Sequence, residues 1–352
     1  MLRDITIENY RCFKDFTITG LAPVNLIVGS NEIGKTSFME AVYLLVNHRK
    51  PESLLSLLSN RGEILPATPT RYHVRHLFRG HQLNFFQKIC LKSQQERSRQ
   101  LEIKLSPLSP PNPEEKVEHD APVFELIWFS EDAKFKFPGS PDGSIGGKFW
   151  RYGKTAPENI FTNHSNSSIF ITDRHLNVEQ LASRWDAIAL TEKAESVVQA
   201  LQIINPEIER ITFTSSLSSS SGILVKLKSQ KHPILLSSMG TGMRRAIALG
   251  ISAVTAANSV FLVEEIDAGL HYEVQTDIWR LILQIAQQLK VQVFATTHSW
   301  DCICAFTEAV NELEDNSVGM LFRLSKKYGK LRPVEYTAED LEIAVRQSIE
   351  VR

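Results

Sequence analysis

The sequence is poor in cysteine and has no excess of either charge. Four cysteines occur in 352 residues, and only Cys302 and Cys304 lie close together, without the spacing or the second pair of a zinc site. Lys and Arg number 39 and Asp and Glu number 40, which gives a net charge of −1. These absences exclude a disulfide-stabilised scaffold. They also exclude a protein whose overall charge draws it onto nucleic acid or an anionic membrane.

Long apolar runs are missing as well. No uninterrupted run approaches the roughly 18 residues of a membrane-spanning helix, and the first residues carry charge at Arg3, Asp4 and Glu8. We therefore expect no membrane association and a cytoplasmic protein. With 43% apolar and 22% charged residues, the composition is that of a globular protein. The length allows either two domains or one α/β unit with an insertion.

A glycine-rich segment near the start of the chain carries the most specific motif. Residues 29–36 read Gly-Ser-Asn-Glu-Ile-Gly-Lys-Thr, which matches the phosphate loop G-x-x-x-x-G-K-S/T. The motif lies between an apolar run at 24–28, which predicts a strand, and a stretch at 36–46 with apolar residues at helical spacing. Lys35 would reach the β- and γ-phosphates of a nucleotide, and the Thr36 hydroxyl would bind Mg²⁺. The predicted nucleotide-binding residues of this segment are Asn31, Glu32, Ile33, Gly34, Lys35, Thr36 and Ser37.

Two acids follow a second apolar run. Residues 260–263 predict a buried strand, which ends at Glu264 and Glu265. Taken alone, such a pair is more typical of surface charge. An acid at a strand end that faces a phosphate loop, however, supports Mg²⁺, and its neighbour can activate the attacking water. We therefore assign metal support to Glu264 and the role of general base to Glu265.

A histidine and a serine–glycine turn complete the pattern. His298 follows the strand predicted at 291–295, where it can contact the γ-phosphate or the attacking water. Ser238, Gly240 and Gly242 belong to a turn that opens a helix, where backbone N–H groups and the helix dipole favour an anion. A chain with one phosphate loop has no obvious need of a second. We therefore expect this turn to meet the γ-phosphate bound to another protomer.

The order of these motifs resembles the ATP-binding-cassette (ABC)-type ATPase heads of the SMC, RecF and OLD (overcoming lysogenisation defect) group. The segments 263–271 and 295–299 are most similar to the OLD-like AAA family ATPases of bacteria. The opening segment 7–13, Ile-Glu-Asn-Tyr-Arg-Cys-Phe, resembles the first strand and turn of that group. On this resemblance, Arg11 is the basic residue near the nucleotide.

The resemblance implies a head that dimerises head-to-tail around two ATP molecules and their Mg²⁺ ions. Lys35 and Thr36 would bind nucleotide and metal, Glu265 would be the base, and His298 would sense the γ-phosphate. The residues that would act in trans, on the nucleotide of the other subunit, are Ser238, Gly240 and Gly242. Two departures stand out: many relatives have Asp where this chain has Glu264, and the group's γ-phosphate-linked glutamine has only Gln82 and Gln87 as candidates.

The middle of the chain has a different residue pattern. Short β-like runs over 80–155 predict an antiparallel sheet, and the pattern from 176 to 204 is helical. Residues 211–214 and 222–228 predict a hairpin with a serine-rich tip.

Together these patterns predict an α/β fold: an ABC-type P-loop NTPase head with a mixed sheet and an inserted antiparallel β and helical region. We expect residues 1–50 and 232–325 to form one discontinuous ATPase core. The insertion would span 51–231, and 326–352 would form a tail that packs on the core.

Two features of the related groups are missing. No heptad run separates the motifs, as a coiled coil does in SMC proteins, and no nuclease-like acid pattern follows His298, as in full-length OLD nucleases. We therefore expect an ATPase that signals to a separate effector, such as a nuclease in phage defence or DNA repair. The alternative is a RecF-like, nucleotide-gated DNA clamp or scaffold with slow hydrolysis. The basic stretch 71–81 stays open between a DNA contact, a partner interface and a solvated face.

Overall fold

A computed structural model describes residues 1–66, 69–85, 87–94, 98–108, 123–131, 133–151, 168–172, 178–214 and 222–352. The strands in these ranges are β1 (Asp4–Glu8), β2 (Asp15–Thr19), β3 (Val24–Val28), β4 (Ile64–Leu65), β5 (Arg71–His73), β6 (Lys88–Ser93), β7 (Arg99–Pro107), β8 (Phe124–Ser130), β9 (Ala133–Gly139), β10 (Ser144–Gly146), β11 (Trp150–Arg151), β12 (Ile169–Ile171), β13 (Ile208–Thr214), β14 (Gly222–Leu227), β15 (Ile234–Leu235), β16 (Val260–Val263), β17 (Gln292–Thr296), β18 (Gly319–Lys327) and β19 (Lys330–Tyr336). The α-helices in them are α1 (Lys35–Val46), α2 (Glu52–Arg61), α3 (Val178–Asp186), α4 (Glu192–Leu201), α5 (Thr241–Thr255), α6 (Tyr272–Leu289), α7 (Trp300–Asn311) and α8 (Ala338–Arg346).

A mixed sheet in the order β12-β16-β17-β3-β18-β19 carries the motifs. All neighbours in it pair in parallel except β18 and β19, which form an antiparallel hairpin. Every residue of β3, β16 and β17 is buried, as expected of parallel strands covered on both faces. Because the three run in parallel, their carboxyl ends meet at one edge. The phosphate loop after β3 and the acids after β16 thus flank the end of β17.

An antiparallel sheet covers the other side of α1. Its strands follow the order β2-β1-β6-β7-β8-β9-β10-β5-β4, and β11 pairs with β9. Phe38 and Val42 of α1 are buried in the same cluster as Trp128 of β8, whose indole N–H donates to the carbonyl oxygen of His48 at 2.7 Å. The antiparallel sheet predicted over 80–155 is therefore present among the described residues, and it fixes the helix that opens with the phosphate loop.

Strands from different expected segments pair with one another. β1 and β6 lie side by side, although they fall in the expected core and insertion, and β12 of the middle segment pairs with β16 of the core. Pairing between segments does not decide where one domain ends, so the division at 50/51 and 231/232 stays a prediction. The hairpin expected at 211–228 is formed by β13 and β14, whereas its serine-rich tip at 215–221 lies outside the described residues.

Helices α3 to α8 pack into one hydrophobic cluster with the mixed sheet. Trp279 of α6, Phe306 of α7 and Leu341 of α8 are buried in it, and so is Val351 beyond α8. In the described part of the chain, no helix is both long and apolar enough to cross a bilayer.

Candidate nucleotide-binding site

The phosphate loop has the backbone that its glycines predict. Gly29 and Gly34 have φ angles of 145° and 110°, which disfavour a side chain. A Cβ atom on Gly34 would also lie 2.6 Å from the Cys12 sulfur. Helix α1 begins directly after Gly34, with no described side chain capping it, so its first N–H groups and its positive dipole end face the loop. Such a helix end is suited to bind phosphate.

Lys35 lies folded back over this loop. Its ammonium donates to the carbonyl oxygens of Gly29 at 2.7 Å and Ser30 at 3.3 Å, and the residue is only 8% exposed. Burial lowers the pKa of Lys35, and the nearby Glu265 opposes that decrease. The other predicted loop residues surround it: Asn31 and Glu32 are exposed, Ile33 and Thr36 are half-buried, and Ser37 is buried.

A cavity of about 180 Å³ lies at the carboxyl ends of β3, β16 and β17. Its walls include Lys35 and Thr36 after β3, Glu264 and Glu265 after β16, and Thr296 at the end of β17. The fold thus brings together residues that lie more than 200 positions apart in the sequence, in one recess beside the start of α1.

The two acids have different environments. Glu264 is buried, whereas Glu265 is more exposed and has a positive φ of 44°. Its backbone N–H donates to the Thr296 hydroxyl at 3.0 Å, and Arg245 donates to the carbonyl oxygens of Glu264 and Glu265 at 3.2 and 3.1 Å. Non-glycine residues seldom adopt such a φ, and a position held there by several bonds is typical of a functional site.

His298 faces Glu265 from the next strand end. Its Nδ1 atom lies 2.6 Å from Oε2 of Glu265. The loop that carries His298 is fixed on both sides, because the Thr297 hydroxyl donates to Asp267 at 2.6 Å and the Arg352 guanidinium donates to the His298 carbonyl oxygen at 2.9 Å. The side chains expected to act on the attacking water are therefore in contact.

The oxygen donors in the cavity fit a magnesium ion. Thr36 supplies a hydroxyl and Glu264 a carboxylate, which are the hard ligands that Mg²⁺ prefers. In the described ranges, no group of three His, Cys, Asp or Glu side chains could hold a metal by itself. Mg²⁺ is commonly bound by one or two oxygen-donating side chains together with the phosphates of a substrate. The donor set matches that mode.

Arg61, Asn60 and Thr172 also line the cavity, and the sequence motifs did not identify them. The Nε atom of Arg61 lies 2.7 Å from Oε1 of Glu40, a buried residue of α1 that lines the cavity as well. Glu40 lies four residues after Thr36 and therefore on the same face of the predicted helix, which is the indication that the sequence offered for it. Arg61 is at the end of α2, and no motif connects it to the phosphate loop.

Arg11 does not line this cavity. Its guanidinium is buried and pairs with Glu40 at 2.6 Å and with Glu63 at 2.8 Å, so it reaches the site only through Glu40. Gln82 and Gln87 are not among the lining residues either. A nucleotide contact by Arg11 or by either glutamine stays a prediction.

The serine–glycine turn lies apart from the cavity of its own chain. Ser238, Gly240 and Gly242 do not line it, and Ser238 and Gly240 are exposed. Added Cβ atoms at Gly240 and Gly242 would meet no described atom within 4 Å. Helix α5 begins at Thr241, and Gly240 supplies no side-chain cap, so its first N–H groups are open to another molecule.

Comparison with known proteins agrees with this geometry. The chain is similar to an ATP/GTP phosphatase of Helicobacter pylori (strain ATCC 700392 / 26695), with 21% identity over 369 residues and 97% of both chains covered. Two solved structures share the fold. An SMC head bound to the C-winged helix domain of ScpA has 14% identity, a TM-score of 0.50 and coverage of 96% of this chain and 98% of the other. An SMC head with an extended coiled coil bound to the C-terminal domain of ScpA, derived from Pyrococcus furiosus, has 10% identity, a TM-score of 0.50 and 99% coverage of both.

The two SMC heads confirm the predicted fold, an ABC-type P-loop NTPase head. The model of the AAA ATPase domain family matches residues 1–131 and 154–303, which include the phosphate loop, the acid pair and His298. The chain therefore belongs to the AAA ATPase domain family and is an ATPase.

Proposed function

We propose that the protein is an OLD-like cytoplasmic ATPase that closes into a homodimer around two ATP molecules and reopens after hydrolysis, and thereby signals to a separate effector such as a nuclease in phage defence or DNA repair. The observation that carries the proposal is the position of the Ser238–Gly242 turn. The backbone N–H groups of a turn that opens a helix suit an anion, yet Ser238 and Gly240 are exposed and no residue of the turn lines the cavity of its own chain. Such a turn completes a site only when a second copy brings it there.

Nucleotide binding would begin at the phosphate loop. The N–H groups at the start of α1 and the Lys35 ammonium face the same recess, so the phosphates of ATP would replace the carbonyl oxygens that Lys35 now contacts. Thr36 and Glu264 would hold Mg²⁺, which supplies neutralisation of phosphate charge when it is bound.

Hydrolysis would depend on Glu265. Its carboxylate accepts a proton from water while the water oxygen bonds to the γ-phosphorus, and the bond to the bridging oxygen of ADP breaks. His298 donates Nδ1–H to the carboxylate and so orients it. Arg245 and Thr296 fix the backbone of Glu265, which reduces the reorganisation needed at the moment of reaction.

The trans arrangement is tested by a trapped variant. In Glu265→Gln, ATP binds but turns over slowly, so size-exclusion chromatography with light scattering should show a dimer with ATP and a monomer with ADP. Adding Gly242→Asp places a negative charge in the turn and should abolish the ATP-dependent dimer. Adding Gln230→Asp, at an exposed position outside the turn, should leave it intact. A monomer under all conditions, or a dimer insensitive to Gly242→Asp, would contradict the proposal.

Mixed subunits give a sharper test. Lys35→Ala and Gly242→Asp should each be inactive alone, because one lacks a working phosphate loop and the other a working turn. In a head-to-tail dimer of the two, one composite site joins the intact loop of the second variant to the intact turn of the first. Mixing them should therefore restore ATP turnover. No recovery on mixing would count against a shared site.

Binding of an effector is tested with the same Glu265→Gln variant. Glu265→Gln loaded with ATP should co-purify a partner from its native cells, and the ADP-loaded protein should not. A partner retained equally in both nucleotide states would contradict signalling by the ATP-bound dimer.

A further inference from the structure

A second cavity lies on the outer side of the phosphate loop. It has a volume of about 370 Å³ and is bounded by Glu32 and Ile33 of the loop, by Cys12 in the β1–β2 turn, and by the β18–β19 hairpin. The positively charged side chains in its walls are Lys14, Arg79, Lys326 and Lys330. Two acids, Asp15 and Glu32, line it as well, so cations exceed acids by two. In a chain whose net charge is −1, this is a local concentration of positive charge.

These four cations are exposed, and none forms an ion pair with any residue in the described ranges. By contrast, Lys136 of the antiparallel sheet lies 2.6 Å from Glu125. Clustered cations repel one another, and no acid of the described chain offsets that repulsion by an ion pair. Their common neighbourhood around a cavity favours an anionic ligand.

The tip of the same hairpin presents an aromatic ring. Tyr328 is 93% exposed and lies in the turn between β18 and β19, where its φ is 51°. The Lys327 ammonium lies 5.5 Å from the centre of its ring. Lys326, Lys327, Lys330 and Arg332 are all exposed along this hairpin, so the charge continues beyond the cavity.

We propose that this surface, formed by Lys14, Arg79 and the hairpin 326–332, binds single-stranded nucleic acid. Phosphates of the strand lie along the cations of the cavity and hairpin, and an unstacked base lies on Tyr328. A cationic groove with an exposed aromatic side chain is the combination that single strands require, because their bases are free to stack. A duplex hides its base faces and would use the cations alone. The row of charge also exceeds what one mononucleotide needs, and Lys35 and Thr36, which would bind the phosphates of ATP and Mg²⁺, line the other cavity.

The first test measures charge. Fluorescence anisotropy with a labelled oligothymidine of about 20 nucleotides should show binding that weakens steeply between about 50 and 200 mM salt. The Lys326→Glu/Lys330→Glu double variant should bind at least about tenfold more weakly. Because each lost phosphate contact on a single strand removes about 0.7 from the slope of log K against log salt, its slope should be shallower by about 1.4. The matched control is Lys148→Glu/Lys290→Glu, two exposed lysines elsewhere that give the same change in net charge and should bind as the wild type does.

The second test measures stacking. Tyr328→Ala should weaken binding of the single strand by about tenfold, whereas Tyr328→Phe, which keeps the ring, should bind as the wild type does. Neither change should alter binding of a duplex of the same sequence. ATP turnover without nucleic acid should be unchanged in every hairpin variant, which also shows that the variants are folded.

Three results of the oligonucleotide-binding assays would overturn the proposal. They are no salt-dependent binding of the oligonucleotide by the wild type, equal binding by the hairpin variants and the control pair, or tighter binding of duplex that does not depend on Tyr328. Weaker ATP binding by the double variant, without oligonucleotide binding by the wild type, would assign the cavity to a nucleotide and would also overturn it. Dimerisation and turnover are measured separately, so failure here leaves the proposed ATP-driven dimer untouched.

Discussion

The Nδ1 atom of His298 lies 2.6 Å from Oε2 of Glu265, across the ends of the neighbouring strands β17 and β16. A carboxylate can only accept at this distance, so the ring donates and holds the carboxylate in place. The two residues are 33 positions apart in the chain, and the parallel pairing of their strands brings them together.

Replacing Glu265 by Gln should therefore remove the proton acceptor and keep the shape of the site. We expect kcat to fall by about 10²- to 10⁴-fold with little change in ATP affinity, as measured by phosphate release and by nucleotide binding. The matched control is Glu273→Gln, because Glu273 also lies beside a histidine, His271 at 3.4 Å, but on the exposed start of α6. Equal turnover by wild type and Glu265→Gln would contradict the assignment.

Arg352 should act on the reaction through the backbone of His298. Its guanidinium donates to the His298 carbonyl oxygen and is itself held by Glu350 at 2.9 Å, while Val351 is buried beside it. We expect Arg352→Ala to lower kcat a few-fold with little change in KM, because the histidine loses orientation but the phosphate loop does not. Arg346→Ala, which breaks only the exposed pair with Glu342, serves as the control. A change confined to KM would contradict this positioning role.

Glu40 should be important for stability. It is buried, and its carboxylate forms ion pairs with the Nε atoms of Arg11 at 2.6 Å and Arg61 at 2.7 Å. Glu40→Gln removes one of the two carboxylates that pair with the buried Arg11, so we expect a loss of about 3 kcal/mol in the free energy of unfolding, measured by urea titration. Glu342→Gln removes an exposed pair and should change it by less than about 1 kcal/mol. Similar effects of the two changes would show that the buried network contributes little.

The pH dependence of stability should include a term from His48. Burial lowers the pKa of this histidine from its ordinary value of 6.5, so below that pH the unfolded chain binds a proton more readily than the folded protein. The stability that the folded protein gains from keeping His48 neutral is fully present above pH 6.5. It is lost as the pH falls towards the lowered pKa of this histidine. In urea titrations at neutral and acidic pH, His48→Gln should show a smaller loss of stability on acidification than the wild type. His232→Gln, at an exposed position, should behave as the wild type does.

The phosphate loop, the acid pair and His298 could be predicted from the sequence because each follows a continuous apolar strand. Such strands form a parallel sheet, and its carboxyl ends gather whatever follows them. Arg61 and Thr172 could not be predicted in this way. They reach the cavity from α2 and β12, whose positions depend on packing against α1 and β16. The expected nucleotide contact of Arg11 was read from a local motif, which could not reveal that Glu40 and Glu63 bind its guanidinium.

The net charge of −1 excluded only a protein that is basic as a whole. The sequence by itself determined the strand–loop–helix of the phosphate loop, the acids and the histidine, because these depend on neighbours within a few residues. Only the tertiary structure decided that Lys14 and Arg79 share a cavity with Lys326 and Lys330, far along the chain. It likewise decided that the Ser238–Gly242 turn stands apart from its own cavity. Contacts between distant segments depend on how the two sheets pack around α1, and local sequence patterns do not encode that packing.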